Sequence, residues 1–353
     1  MATPADAGPA VDPTAPLIDA AARVAADLAA DAARLETEGV SRADVAALAG
    51  AGLLAVFGPP ELGGAAAPEQ RRVAELLAGS SPDAWFVWFQ HGPVLKMLVA
   101  SENRSLADRH LPALCRGDEL GGVAWSHLRT ATPSVFATRV DGGWSFSGFQ
   151  PWCTGWGLTD VVLAGALAQE TDEVVFALVP AGDRAALRSI GELGLAAMAG
   201  TSTHALRIED LVVPDEDVVL VTAREPWAAA DAAMNTNVQP STFGVAMAAL
   251  DALDERAPAI AATMRTRLLE LRTRAYRLLD EVHPREQLEE RLAVRAQVLL
   301  LSLECCTALL AARGGQGMGL ADPAQRLLRA AAFQLVHSQA AHVRAATLDA
   351  LVA

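Results

Sequence analysis

The chain has 353 residues, of which 52% are hydrophobic and 20% charged, so it is large and apolar enough to bury a substantial core. A net charge of −14 without any cluster of Lys or Arg argues against nucleic-acid binding. The first residues lack signal-peptide features, no apolar run is expected to span a membrane, and the four cysteines lack metal-ligand spacing. These features predict a protein of the reducing cytoplasm without a metal site.

The N-terminal part of the chain is predicted to be helical. Residues 1–14, rich in Ala, Pro and Asp, are expected to form a flexible tail, and residues 15–117 an α domain. Within this domain, the sequence Gly-Pro-Pro-Glu-Leu-Gly-Gly at 58–64 predicts a turn. Residues 85–100 predict a buried helix that begins with an aromatic cluster and carries His91.

The pattern changes over residues 118–221, where short apolar runs alternate with turn residues. Such spacing predicts an antiparallel β-barrel or sandwich. The predicted strands are Gly121–Ser126, Ser134–Val140, Trp144–Ser147, Val161–Leu167, Val174–Val179 and His204–Val212.

Residues 222–353 return to helical periodicity. Four helices are predicted, at about 227–254, 256–282, 285–312 and 322–352, and together they predict a four-helix bundle. A glycine-rich stretch at 314–319 interrupts the last pair.

The segment 142–160 is the most informative part of the sequence. Trp144 and Phe146 alternate with small residues, as in a half-buried strand. Two residues apart in a strand, Trp152 and Thr154 are expected to point to the same face, which then offers a flat apolar wall and a hydroxyl group. This pairing suits a planar, polar-edged ring such as a flavin, although a Trp-rich hairpin also serves simple packing.

Several motifs, in this order, resemble the acyl-CoA dehydrogenase superfamily. They are the Pro-Glu-Leu-Gly-Gly turn, a run from 148 that resembles Gly-x-Lys-x-Trp-x-Thr with Gln150 in place of Lys, and a final strand ending at Pro214. The resemblance implies an α+β fold with an N-terminal helical domain, a middle antiparallel β-barrel and a C-terminal four-helix bundle. It also implies FAD-dependent α,β-dehydrogenation of an acyl thioester by a homodimer or homotetramer that passes electrons to an acceptor.

The resemblance assigns cofactor contacts to particular residues. Trp152 and Thr154 are expected to border the isoalloxazine ring, and Trp125 and Ser126 to meet the pyrimidine edge of the flavin. The glycines of a Gly-Gly-x-Gly motif are expected to approach FAD across a subunit interface, while a plain helix–helix turn requires the same residues; these are Gly314, Gly315 and Gly317.

The catalytic base of the superfamily is missing. Its Glu falls near Ser338, the alternative position within 233–237 offers no carboxylate, and the Arg-rich FAD clamp is absent around 264–274. His337 and Ser338 are therefore the candidate catalytic residues. His337 suggests a monooxygenase on the same fold, which would use reduced flavin, FMN in this case, from a flavin reductase.

Two other interpretations stay open. One is a catalytically inactive subunit of a hetero-oligomer, which loss of the base and clamp favours. The other concerns His337, His127 and His91, each of which is also explained as a structural histidine whose ring is satisfied by neighbouring groups.

Overall fold

A computed structural model of the protein describes residues 15–352, so the tail predicted for residues 1–14 lies outside the described residues. Within these residues, six α-helices precede the first strand, in the region that the sequence predicts to be helical. They are α1 Ala15–Ala30, α2 Ala32–Glu38, α3 Arg42–Gly50, α4 Ala67–Ser80, α5 Pro82–Ala100 and α6 Arg104–Arg116. Helix α5 begins at a Ser81 cap and buries the aromatic cluster at its start, which packs against the C-terminal helices.

One eight-stranded sheet follows within the described residues. Its strands are β1 Gly121–Ala124, β2 Val135–Val140, β3 Gly143–Cys153, β4 Val161–Ala168, β5 Glu173–Pro180, β6 Leu187–Glu192, β7 His204–Pro214 and β8 Val218–Ala223. The order is β6-β7-β3-β2-β4-β5-β8, with β1 paired to β4. The sheet is mixed, because β1 and β2 both run parallel to β4, whereas the sequence predicted an antiparallel one.

The sheet separates two apolar clusters. Trp144 and Phe146 of β3 lie in the cluster on one face, and the intervening Ser145 is only partly buried, which confirms the predicted alternation. Val174 and Phe176 of β5 belong to the cluster on the other face, which includes residues of α5 and α6. The difference between the two faces of β3 fixes its register, since a slip by one residue would exchange Trp144 and Phe146 with the more polar Ser145.

Strand β3 is bent at Gly148. Its φ of +146° and a built Cβ only 2.0 Å from the Ser134 carbonyl oxygen leave room for glycine alone. The pairing of β3 with β7 shifts register here and again between Gln150 and Cys153. The second irregularity includes the position of Trp152, near the end of β3.

The C-terminal region is helical, as predicted, but two of the four predicted helices are broken. The helices are α7 Arg224–Asn235, α8 Pro240–Asp254, α9 Pro258–Glu281, α10 Leu288–Arg313, α11 Pro323–Val336 and α12 Ala341–Val352. The breaks fall at 236–239 and 337–340. At both breaks, backbone carbonyl oxygens accept hydrogen bonds from one buried arginine, Arg295.

Helix α10 is the central helix of this region and packs against α8, α9, α11 and α12. By length and composition alone, the stretch Leu288–Met318 could cross a membrane. This contradicts the expectation that no apolar run reaches membrane-spanning length. However, 56% of its most apolar part is buried inside the protein. A core helix passes the same test, because burial in protein and burial in lipid select similar residues.

Candidate functional site

The end of strand β3 exposes an indole ring. Trp152 is 48% exposed, whereas Gln150, two residues earlier, is fully buried. The Gln150 amide nitrogen donates to the Trp152 carbonyl and, at 3.4 Å, to the Ser126 hydroxyl. Its amide oxygen is buried without a hydrogen-bond partner. An accessible flat ring therefore lies beside a buried acceptor that lacks a donor.

Trp125 and Ser126 follow β1 and reach the same area. Both are partly buried, and the Trp125 ring packs edge-on against Phe176 at 5.5 Å. The neighbouring His127 anchors this loop: its Nε2 donates to the Gly165 carbonyl (2.9 Å), and its Nδ1 accepts from the Ser134 backbone (3.2 Å). Burial lowers the pKa of His127, so both bonds belong to a neutral ring. The predicted structural interpretation explains this histidine fully.

Thr154 lies just beyond the end of β3 and is only 4% exposed. Strand alternation therefore does not extend to it, and its burial differs from that of Trp152. Its hydroxyl is 3.0 Å from that of Thr203, which in turn lies 2.7 Å from that of Thr201. The predicted flavin contact of Thr154 thus involves a hydroxyl that already has a protein partner.

The glycine motif follows α10 as a short 3-10 turn. Gly314 has a φ of +58°, and Gly317 packs against Leu310, so the turn itself requires both residues. Around Gly315 a side chain would meet open space. Packing within the described residues gives no reason for glycine there, which leaves room for the predicted approach of a ligand or second subunit.

His337 occupies the break between α11 and α12, where it ends α11. Aromatic rings surround its imidazole: Phe333 stacks on it at 5.3 Å, and three rings of α5 approach edge-on at 5.2–5.7 Å, those of Trp85, Phe86 and Phe89. Its Nδ1 is buried and lacks a partner, and Nε2 is 3.4 Å from the Ser338 hydroxyl. The side chains of His337 and Ser338, which are neighbours in sequence, are thus also in contact.

The imidazole of His337 is neutral near pH 7. Burial, and to a smaller extent the nearby positive charges of Arg295 and Arg129, together lower its pKa to about 3. Ser338, at the predicted position of the base, has a φ of +51°, a backbone conformation that costs energy for a residue other than glycine. Such strain is found at sites that the surrounding structure holds tightly.

Arg295 of α10 holds this break and was not predicted from the sequence. It is 2% exposed, and its guanidinium donates to three carbonyl oxygens: Asn235 (2.7 Å), Asn237 (2.8 Å) and His337 (3.0 Å). Helix ends leave such carbonyls unpaired, so one side chain caps α7 and α11 together. Among the described residues, no carboxylate forms an ion pair with Arg295, and burial lowers its pKa to about 10.

Asp231, a carboxylate that we considered as a replacement for the missing base, already has polar partners. Asp231 of α7 forms a two-pronged ion pair with Arg129, with both oxygens at 2.8 Å, and accepts a hydrogen bond from Asn235. Within residues 15–352, no carboxylate makes a hydrogen bond or ion pair with His337 or Ser338. The arrangement has a positive potential and lacks a basic carboxylate.

The other residues noted in the sequence have structural roles. His91 is fully buried, its Nδ1 accepts from the Gly121 backbone (3.0 Å), and burial lowers its pKa to about 4. All four cysteines are free and buried. A cavity of about 700 Å³ lies elsewhere, between α1, α3 and α6, and is lined by none of the predicted site residues. In the described part of the chain, no group of side chains has the composition of a metal site.

Comparison with known proteins agrees with the resemblance. No protein-family profile matches the chain. A 136-residue segment is 26% identical to the mitochondrial 2-methylacyl-CoA dehydrogenase of Solanum tuberosum, and it covers 37% of this chain and 33% of that protein. The match thus spans about a third of the curated relative.

Solved structures match over almost the whole chain. Butyryl-CoA dehydrogenase from Megasphaera elsdenii aligns with a TM-score of 0.82 at 15% identity, covering 98% of this chain and 99% of that one. Dibenzothiophene monooxygenase from a Paenibacillus species aligns at 0.77 and 19%, covering 95% and 96%, and a second structure of it contains FMN. The chain therefore has the acyl-CoA dehydrogenase fold, which dehydrogenases and a monooxygenase share.

Proposed function

We propose that the protein is a flavin-dependent monooxygenase that receives reduced flavin, FMN in this proposal, from a separate reductase. One observation carries the proposal. By the resemblance, the position of the dehydrogenase base falls near Ser338, and beside Ser338 a neutral His337 is enclosed by aromatic rings. The same fold supports both chemistries, so the residues at the site decide between them.

The residues at the end of β3 fit an isoalloxazine ring. The exposed Trp152 indole supplies a flat apolar surface, and the unpartnered Gln150 oxygen and the Ser126 hydroxyl supply polar partners for a ring edge. Trp125 and Thr154 border the same area. Gly315 leaves space for the remainder of the cofactor or for a second subunit.

Dehydrogenation of an acyl thioester requires a base that removes a weakly acidic α-hydrogen. His337 has a pKa of about 3, below the value near 4 of an ordinary carboxylate, so it is a poor proton acceptor. Asp231 is bound by Arg129 and Asn235. The described residues thus favour a reaction that does not begin with removal of a carbon-bound proton.

Oxygen transfer makes different demands on a site. In the overall reaction, reduced flavin supplies two electrons, one oxygen atom of O2 enters the substrate, and the other leaves as water. Such chemistry benefits from a site that excludes water, as aromatic rings do, and from a neutral group that donates or accepts a hydrogen bond. The uncompensated charge of Arg295 also favours negative charge that develops nearby.

A dehydrogenase that acts on an acyl thioester with FAD is the second candidate. The local identity to a 2-methylacyl-CoA dehydrogenase favours it. Under that alternative, the base must come from a group other than Ser338 and His337.

The reaction of bound reduced flavin with oxygen tests the proposal. Protein mixed anaerobically with dithionite-reduced FMN or FAD is exposed to air-saturated buffer, and flavin absorbance and hydrogen peroxide are followed. We expect the protein to delay peroxide release relative to free flavin, because water is excluded. We expect the His337→Ala variant to lose most of this delay and still bind flavin.

The control is His342→Ala, which removes a partly exposed histidine of α12 and is expected to behave as wild type. Equal peroxide release with and without the protein, under conditions where flavin is bound, would rule out the monooxygenase. An effect of both substitutions alike would rule out the specific role of His337.

A further inference from the structure

Three threonine hydroxyls form a buried chain behind the flavin-facing surface. Thr154, Thr203 and Thr201 are 4%, 3% and 0% exposed. Their oxygens follow one another at 3.0 and 2.7 Å, and the Thr201 hydroxyl ends the chain 2.7 Å from the Met198 carbonyl oxygen. All three distances are within the range of normal hydrogen bonds.

The turn that carries Thr201 is firmly held. Met198 and Ser202, on either side of it, both have positive φ values, of 59° and 47°. Between them, the Gly200 backbone donates to Asp83 at 2.8 Å and accepts from the Val40 backbone at 2.8 Å. A turn bound on two sides keeps the Thr201 hydroxyl in place, so the chain has a fixed end.

This fixed end determines the direction of every bond. A carbonyl oxygen only accepts, so the Thr201 hydroxyl hydrogen is used on Met198. The Thr203 hydroxyl must then donate to Thr201, and the Thr154 hydroxyl must donate to Thr203, because each has one hydrogen. Thr154 therefore keeps lone pairs but has no free hydrogen. Toward a ligand it is an acceptor only.

We propose that Thr201 and Thr203 fix Thr154 as a hydrogen-bond acceptor, and that the site thereby binds reduced flavin in preference to oxidised flavin. The inference rests on the proposed function, which places a flavin against Thr154. Two-electron reduction adds a hydrogen to N5 of the ring and turns an acceptor into a donor. A Thr154 hydroxyl that only accepts can bind the N5–H group of reduced flavin. In oxidised flavin, the same hydroxyl oxygen faces the lone pair of N5.

The test is an anaerobic titration of the full-length protein with oxidised and with dithionite-reduced FMN and FAD. The measured quantity is the ratio of the dissociation constant for oxidised flavin to that for reduced flavin. Thr203→Val removes the acceptor of the Thr154 hydrogen. Thr201→Val removes the acceptor of Thr203, whose hydroxyl can then turn toward Thr154. In both variants Thr154 can donate outward.

We expect each valine substitution to lower the ratio roughly 5- to 10-fold, the effect of about one hydrogen bond. A tenfold change corresponds to about 30 mV in the two-electron midpoint potential of the bound flavin. Thr203→Ser keeps the hydroxyl and should keep the wild-type ratio. Thermal unfolding of each variant shows that the affinities are measured on folded protein.

The outcomes separate the two proposals. Binding of both flavin forms with a ratio that neither valine variant lowers would overturn the inference and leave the proposed function in place; this is also the result expected if Thr154 meets N3–H, a donor in both redox states. Failure of wild-type protein to bind flavin in either state would overturn the proposed function, and the inference with it.

Discussion

The end of strand β3 and the break between α11 and α12 are built in opposite ways. At the strand end, neutral hydroxyl and amide groups are bonded to one another, and Trp152 is open to solvent. At the helix break, one buried cation, Arg295, connects three carbonyls, and His337 stands among aromatic rings with an unpartnered nitrogen.

From this difference in construction, we expect some substitutions to destabilise the fold and others to alter only the chemistry of the site. An exposed side chain such as Trp152 contributes little to stability, whereas a buried cation such as Arg295 leaves several groups unpaired when it is removed. Among histidines the contrast is reversed: His127, near the strand end, uses both ring nitrogens on backbone groups, whereas His337, in the helix break, has few polar contacts.

The largest effect is expected for Arg295→Ala. The substitution leaves three carbonyl oxygens at the ends of two helices without a donor, and we expect it to lower the free energy of unfolding by about 3 kcal/mol. Urea denaturation measures this. The control, Arg267→Ala, removes an exposed ion pair with Glu304 and should cost at most about 1 kcal/mol. Equal losses would disprove the capping role of Arg295.

A matched pair of substitutions compares the two histidines. Phenylalanine preserves a ring but removes both nitrogens. We expect His127→Phe to cost about 2 kcal/mol, because Gly165 and Ser134 lose their partners, and His337→Phe to stay within about 0.5 kcal/mol of wild type. A cost for His337→Phe as large as that for His127→Phe would mean that His337 is structural after all.

The pH dependence of stability should distinguish wild type from His337→Phe. The folded-state pKa of His337, about 3, lies below the unfolded value near 6.5. Below pH 6.5 the unfolded chain therefore binds a proton that the folded protein does not, and stability falls as pH falls. We expect wild type to lose up to about 1.4 kcal/mol more per pH unit than the variant between pH 6.5 and 4. Parallel curves would show that His337 titrates normally.

A small effect on stability is also expected for Trp152→Ala. Because about half of the Trp152 side chain is exposed, its removal should lower the free energy of unfolding by less than about 1 kcal/mol. Flavin affinity should nevertheless fall about tenfold, because the flat wall is lost. Val212→Ala on β7 is the control, since Val212 is also exposed, at 61%. Unchanged flavin binding in Trp152→Ala would show that flavin does not bind against this surface.

Much of the fold was predictable because its periodicity is local. The alternation of Trp144 and Phe146, the fully apolar run of β4 and the long helix α10 all follow from residues close in sequence. Strands β6 and β8 were both missed. Most residues of β6 are exposed or partly exposed and they include Gly191, and β8 follows Pro214, where the last strand was predicted to end. The mixed pairing of β4 with β1 and β2 joins distant residues, which sequence patterns do not specify.

The candidate site was predictable only in part. The sequence suggests Trp152, Thr154, His337 and Ser338 as candidates, but not the break in which His337 lies, because residues 336–339 include neither Gly nor Pro. The group that holds the break is Arg295, 42 residues away from His337 in sequence. Similarly, the Thr154 chain depends on Thr203, which lies 49 residues further along.

The most direct test of the account is to mix flavin-loaded protein with saturated acyl thioesters, such as butyryl-CoA, without oxygen. Filtration beforehand verifies that the flavin is bound. We expect the visible spectrum of oxidised flavin to persist, because Ser338 and a His337 with a pKa of about 3 cannot remove the α-hydrogen. Bleaching of the bound flavin by a thioester would contradict the account and establish a dehydrogenase.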